Sequence, residues 1–260
     1  MNSKIIGIVI LIIAIGGASA YFLIKNDSVD TISTISITQN EKIGLVINTI
    51  NPPESIEEFE EAYKIASSSG IGRTNLYVYW NQLEPEKGNF DWRVTDIMMK
   101  LNEKHNLKTT LFFSVINADR LGPFPQWMGN QALGTSLESD TIRVLNEVLS
   151  RYQNIDYVIF AGDVDYHFQR ASGTIPLYTE FFNNISSNLK SNHPNVKFGN
   201  SLSLENVLNK GMEPGGSFEL TPQFEMGDFI ALSYKPTDVV GDINRTPQEA
   251  LDDLNKALKI

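Results

Sequence analysis

Two aspartates, Asp163 and Asp165, follow the apolar run Tyr157–Ala161, with His167 two residues further on. Carboxyl groups at the end of a strand are placed to transfer a proton or to accept hydrogen bonds from ligand hydroxyls. Other polar and aromatic side chains stand just beyond apolar runs in the same way: Asn51, Trp80-Asn81, Asn117, Ser201 and Tyr234-Lys235. An indole face stacks on apolar C–H groups, and side-chain amides bond to hydroxyls. The bland alternative is that Asp163 and Asp165 hold local backbone N–H groups and that Trp80 is packing at a strand end. The three histidines, His105, His167 and His193, show neither H-x-H nor H-E-x-x-H spacing, so no metal is expected, and no other motif calls for a cofactor. There is no cysteine to serve as thiolate nucleophile or zinc ligand, and no G-x-S-x-G elbow.

The elements that must position these groups alternate strictly. Strand-like runs occur at Lys42–Ile50, Asn75–Trp80, Thr109–Ile116, Tyr157–Ala161, Val196–Ser201 and Phe229–Tyr234. Between them lie helical patterns: one from Ser55, where Ile56, Phe59, Tyr63 and Ala66 share a face, then Val94–Lys104, Asp140–Tyr152, Leu177–Asn192 and a short one at Leu204–Asn209. A last helix opens on Thr246 as N-cap and Pro247 as first helical residue. Six such β/α units predict a parallel sheet with right-handed crossovers, doubly wound or curled into a barrel. No strand runs into a G-x-G-x-x-G or G-x-x-x-x-G-K turn, which removes the usual phosphate cradles. Polar groups at the ends of many strands are how a (β/α) barrel builds a site. The predicted architecture is therefore a TIM-type barrel, incomplete at about six units, because eight units ordinarily need about 250 residues.

Upstream, Ile5–Ile24 holds no charge across twenty positions and is flanked by Lys4 and Lys25. Twenty helical residues span a hydrocarbon core of about 30 Å. Residues 1–25 are therefore expected to be a membrane anchor, or a signal peptide cleaved after Ala20, since Ala18-Ser19-Ala20 has the small-x-small form. Residues 26–41 read as a polar stalk, and residues 42–260 as the barrel domain on the extracellular side. The net charge of −10 over 260 residues disfavours nucleic acid, whose phosphates need Lys and Arg to displace counterions.

Two segments carry a family resemblance. Leu76–Trp92, LYVYWNQLEPEKGNFDW, resembles the second-strand signature of the retaining glycoside-hydrolase clan built on (β/α)₈ barrels, which includes beta-galactosidases and endo-glycanases. Trp80, Leu83, Glu84, Pro85, Gly88, Phe90, Asp91 and Trp92 match it, with Glu84, Pro85 and Gly88 expected to shape the loop. Tyr157–Phe168, YVIFAGDVDYHF, is similar to the clan's fourth-strand motif, in which Asn-Glu supplies a sugar contact and the acid/base carboxyl. Gly162 stands at the Asn position and Asp163 at the Glu position, so both depart from the pattern. Gly227–Asp238 resembles the sixth strand, which would make Tyr234 the residue that orients the nucleophile.

The resemblance implies an O-glycosyl hydrolase, if active, with Asp163 as acid/base and a carbohydrate as partner, contacted by Trp80, Asn81, Asn117, Asp165 and His167. Hydrolysis needs a second carboxyl flanking the scissile bond. In the clan this nucleophile comes from a seventh strand, whose counterpart would fall beyond Ile260, and Asp165, Glu205 and Asp238 are weak substitutes. The alternative expectation is a degenerate barrel that binds carbohydrate, or another surface partner, without cleaving it.

Overall fold

The computed structural model describes residues 9–12, 38–47, 55–208, 223–235 and 245–257. The β-branched and aromatic runs form strands β1 (Val9–Ile12), β2 (Asn40–Leu45), β3 (Ile71–Val78), β4 (Lys108–Asn117), β5 (Arg120–Leu121), β6 (Ile155–Gly162), β7 (Lys197–Ser203) and β8 (Phe229–Tyr234). They lie side by side in the order β1-β8-β7-β6-β4-β3-β2, every neighbour parallel, with β5 folded back antiparallel on the end of β4. The crossovers are helical: α1 (Ile56–Ser68), α2 (Trp80–Leu83), α3 (Arg93–Lys104), α4 (Thr135–Arg151), α5 (Val164–Arg170), α6 (Ile175–Asn192), α7 (Leu204–Val207) and α8 (Pro247–Ala257). The sheet curls far enough for β1 to approach β2, the strand at its other edge. This is a partial (β/α) barrel of the TIM type, with six β/α units among the described residues.

Local chemistry sets the helix starts. The Ser55 hydroxyl accepts from the Glu58 N–H at 3.1 Å, and α1 then buries Tyr63 and Ala66. At α8, Thr246 and Glu249 form a reciprocal capping box. The Glu249 N–H reaches the Thr246 hydroxyl at 3.3 Å, and the Thr246 N–H reaches the Glu249 carboxylate at 2.8 Å.

Strand alternation sorts side chains onto two faces. Leu76, Val78, Leu111, Phe113, Val158, Phe160, Phe198 and Leu202 point outward and pack beneath the helices in the main core. Phe112, Ile159, Phe229 and Ala231 form a smaller inner cluster, with Tyr77 and Tyr157 against it. The interior is therefore packed and is not a pore, as expected for a barrel of this size. Toward the amino ends of the strands, buried Arg73 donates to both oxygens of Asp156 and, at 2.9 Å, to the Glu41 carbonyl, and its guanidinium covers the Tyr157 ring.

Three sequence expectations change. The first barrel strand was expected to be buried over Lys42–Ile50, but β2 is Asn40–Leu45 and mostly exposed, because it lies at a sheet edge; residues 48–50 lie outside the described residues. The polar stalk ends earlier than residue 41. Asn40 and Glu41 belong to β2, and the Gln39 amide donates to the His105 carbonyl at 2.9 Å. Within the apolar N-terminal segment, Val9–Ile12 forms strand β1 beside β8, where a β-branched run satisfies the backbone groups of an open edge. The rest of residues 1–25 lies outside the described residues, and among the described residues no helix is long and apolar enough to cross a membrane.

Candidate functional site

The carboxyl ends of β6, β7 and β8 converge on Asp163. This residue follows the last position of β6 and adopts a left-handed backbone (φ 49°, ψ 44°), which aspartate tolerates better than most residues and which turns the chain directly into α5. Its Oδ1 accepts from the Ser201 hydroxyl at 3.1 Å, and its Oδ2 lies 3.7 Å from the Lys235 ammonium. The Asp163 side chain is 14% exposed, so the carboxylate is held from two sides and still reaches the mouth. Tyr77 lies close enough for Asp163 to help raise its hydroxyl pKa, an effect smaller than that of burial, and its ring stacks on Phe112 at 4.5 Å. The site is thus a carboxylate, a hydroxyl and an ammonium above an aromatic floor.

Gly162, at the position where the resembled clan carries a sugar-contacting Asn, is fixed by Phe112. A Cβ built on Gly162 would lie 1.9 Å from Phe112 Cζ, so any side chain there collides with the inner aromatic cluster. The space for that contact is filled by the phenyl ring.

Asp165 turns away from the mouth. Its side chain is buried, accepts the Ser203 N–H at 3.0 Å, and is bonded by the Asn206 amide. Burial pushes its carboxyl up to about 6, with Asp163 adding to the rise and the two hydrogen bonds opposing it. Tyr234 also leaves the site. Phe229, Ala231 and Ser233 share the inward phase of β8, which puts Tyr234 on the helix side, where its hydroxyl donates to Asp253 of α8 at 3.3 Å. The expected role in orienting a nucleophile at the mouth has no geometric support.

Trp80 is fully buried rather than a platform. Its ring packs against Phe113 and Phe124, and its Nε1–H donates to Glu84 at 2.9 Å. Glu84 has no exposed side-chain surface and also accepts from the Gly88 N–H at 2.6 Å and from both terminal nitrogens of Arg143 at 2.7 and 3.0 Å. Burial raises the Glu84 pKa, but the bonds from Arg143, Gly88 and Trp80 outweigh it and leave the carboxyl below its ordinary range. Gly88 closes the turn with φ +78°, a region that glycine enters without penalty. The motif that carries the family resemblance is therefore a scaffold for its own loop.

Asn117 ends β4 as the register partner of Gly162, so it is brought to the mouth, whereas Asn81 projects from α2 and is exposed. His167 faces the β4–β5 turn, where its Nδ1 donates to the Asp119 carbonyl at 3.2 Å. Asn51 and Asp238 lie outside the described residues. Sequence reasoning missed Tyr77 and Phe112. The signal was the alternation L-Y-V-Y, which puts Leu76 and Val78 on one face of β3 and Tyr77 on the other.

No protein-family model matches the chain. Solved structures do share its fold. Beta-glycosidase BGL167 superposes with a TM-score of 0.53 at 12% identity, over 79% of this chain and 64% of that one. The AHE enzyme from Alicyclobacillus herbarius gives 0.51 at 12% identity, over 78% and 63%. Exo-beta-1,4-mannosidase Op5Man5 from Opitutaceae bacterium strain TAV5 gives 0.51 at 16% identity, over 69% and 34%. The chain spans from about a third to just under two thirds of the length of these proteins. What the chain shares with these proteins is the (β/α)-barrel fold, in partial form.

Proposed function

We propose that this chain recognises a carbohydrate at the strand mouth, with Asp163 as the carboxylate that accepts from sugar hydroxyls. The observation that carries the reading is the position of Asp163, at the end of β6 in a glycoside-hydrolase-type barrel and held by Ser201 and Lys235. Recognition needs one such carboxylate, whereas hydrolysis needs two flanking the bond. Asp165 is buried away from the mouth, and Gly162 with Phe112 removes a contact that strengthens in a glycosidase transition state. Both favour binding over turnover.

The glycosidase reading draws on the same residue, since Asp163 stands where the resembled clan carries its proton donor. One experiment separates the two. The full chain is incubated with β-1,4-mannohexaose and cellohexaose and assayed for bound sugar and for new reducing ends. Binding without cleavage, weakened about tenfold or more in Asp163→Asn through loss of a charge-assisted hydrogen bond, is the result expected. Cleavage that disappears in Asp163→Asn while binding persists makes the chain an enzyme instead.

Placement outside the cell, at a membrane, belongs to the same proposal and is supported by the uncharged run Ile5–Ile24 between Lys4 and Lys25. Anchoring requires β1 to leave the edge of β8. Retention in the membrane pellet after alkaline extraction is the expected result, and release into the supernatant contradicts it.

A further inference from the structure

We propose that Asp165 is the positioning residue of the mouth: its buried carboxylate locks the start of α5 to the β7–α7 junction, and its ionisation sets the geometry of Asp163. The inference concerns the site assigned above, but its first test needs no ligand.

The argument starts from connectivity. Asp163 and Asp165 flank Val164 at the junction of β6 and α5, so a displacement of one is carried to the other through a single buried residue. Asp165 bonds the Ser203 N–H, at the last residue of β7, and the Asn206 amide in α7. Ser201, which holds Asp163, lies two residues before Ser203 on the same face of β7. A loop of contacts therefore runs from Asp163 through Ser201, along β7 to Ser203, across to Asp165 and back to Asp163. The ionised carboxylate offers acceptors to both donors. A proton on the oxygen facing Asn206 sets O–H against N–H, so one bond of the loop must rearrange.

The carboxyl titrates within reach of ordinary solution conditions, because burial has pushed it up to about 6. Among the described residues, the titratable and charged groups around it are few. Asp163 lies on the β6 side and adds to the rise. Tyr166 and His167 are on α5 itself, with Tyr166 reaching the Ser203 hydroxyl at 3.5 Å and His167 turned to the Asp119 carbonyl. Glu205 is in the first turn of α7, and Lys235, after β8, pairs with Asp163.

The test is a carboxyl and amide NMR titration of the full chain from pH 4.5 to 8. Wild type is expected to show one inflection shared by the Asp165 carboxyl and the backbone amides of Ser203 and Asp163. Asp165→Asn, nearly isosteric, removes that inflection from Ser203 and Asp163, whereas His167→Gln leaves it in place. In parallel, mannohexaose or cellohexaose affinity should fall several-fold in wild type below the inflection and stay flat across it in Asp165→Asn. An Asp163 amide whose shift follows pH identically in wild type and Asp165→Asn overturns the proposal. So does an inflection that disappears with His167. Should Asp165→Asn fail to fold, Asn206→Ala takes its place and must shift the shared inflection. Loss of sugar binding in every protein, with the shared inflection intact, defeats the carbohydrate reading and leaves the positioning role standing.

Discussion

Gly162 and Phe112 constrain one another at the end of β6. An acidic residue follows β6, and the position before it is held to glycine by the Phe112 ring packed against it. Gly162→Asn is expected to lower stability by about 3 kcal/mol, the cost of overpacking against a stiff neighbour. In a Phe112→Ala background the same change should cost under about 1 kcal/mol. Urea denaturation of the four proteins reads the difference, and equal losses in both backgrounds would refute the steric account. At this scale the sequence was only partly informative. The position of Asp163 at a strand end was legible from its place after an apolar run. Trp80, Tyr234 and Asp165 were misplaced because a residue's proximity to a strand end does not say which face it takes. The phase of F-I-A-L-S-Y in β8, with Phe229 and Ala231 inward, excludes Tyr234 from the mouth.

The loop between β3 and α3 owes its shape to a single buried carboxylate. Glu84 gathers donors from Trp80, Gly88 and Arg143, and the Trp127 indole N–H reaches its backbone carbonyl at 3.2 Å. Glu84→Gln should cost roughly 3 kcal/mol, because it leaves the Arg143 guanidinium without its counter-charge in a partly buried setting. The carboxyl is depressed in the folded state, so its stabilisation is complete above the ordinary glutamate range and is lost as pH falls through the folded value. The gap in thermal melts between wild type and Glu84→Gln should therefore narrow as pH falls from 7 toward 3; a constant gap would contradict the assignment. The eight matched positions of this motif were readable in the sequence because a turn fixed by glycine, proline and a buried acid constrains spacing. The short helix α5 was not, since seven residues after a left-handed aspartate give too few turns for a periodic signal.

Across the whole molecule, alternation of strand and helix was enough to read the architecture, and the structure returns the six units in order. What the sequence could not show is how the edges are met. β2 is exposed, and β1 sits against β8 and near β2. Amide exchange should then be slowest in β4 and β6, which lie inside the sheet under both cores, and fastest in β2. Protection of β2 equal to that of β6 would mean that the edge is covered in solution. The proposed function rests on the same geometry, because strands of one polarity bring Tyr77, Asp163, Ser201 and Lys235 to one end, while the aromatic pair Phe90 and Trp92 lines a separate surface hollow of about 500 Å³ with Arg151 and Asp96. Chemical-shift mapping of the full chain with mannohexaose and cellohexaose tests the central claim most directly. The account predicts saturable shifts centred on Tyr77, Asp163, Ser201 and Lys235. It is contradicted by an unchanged spectrum, or by shifts confined to the hollow beside Trp92.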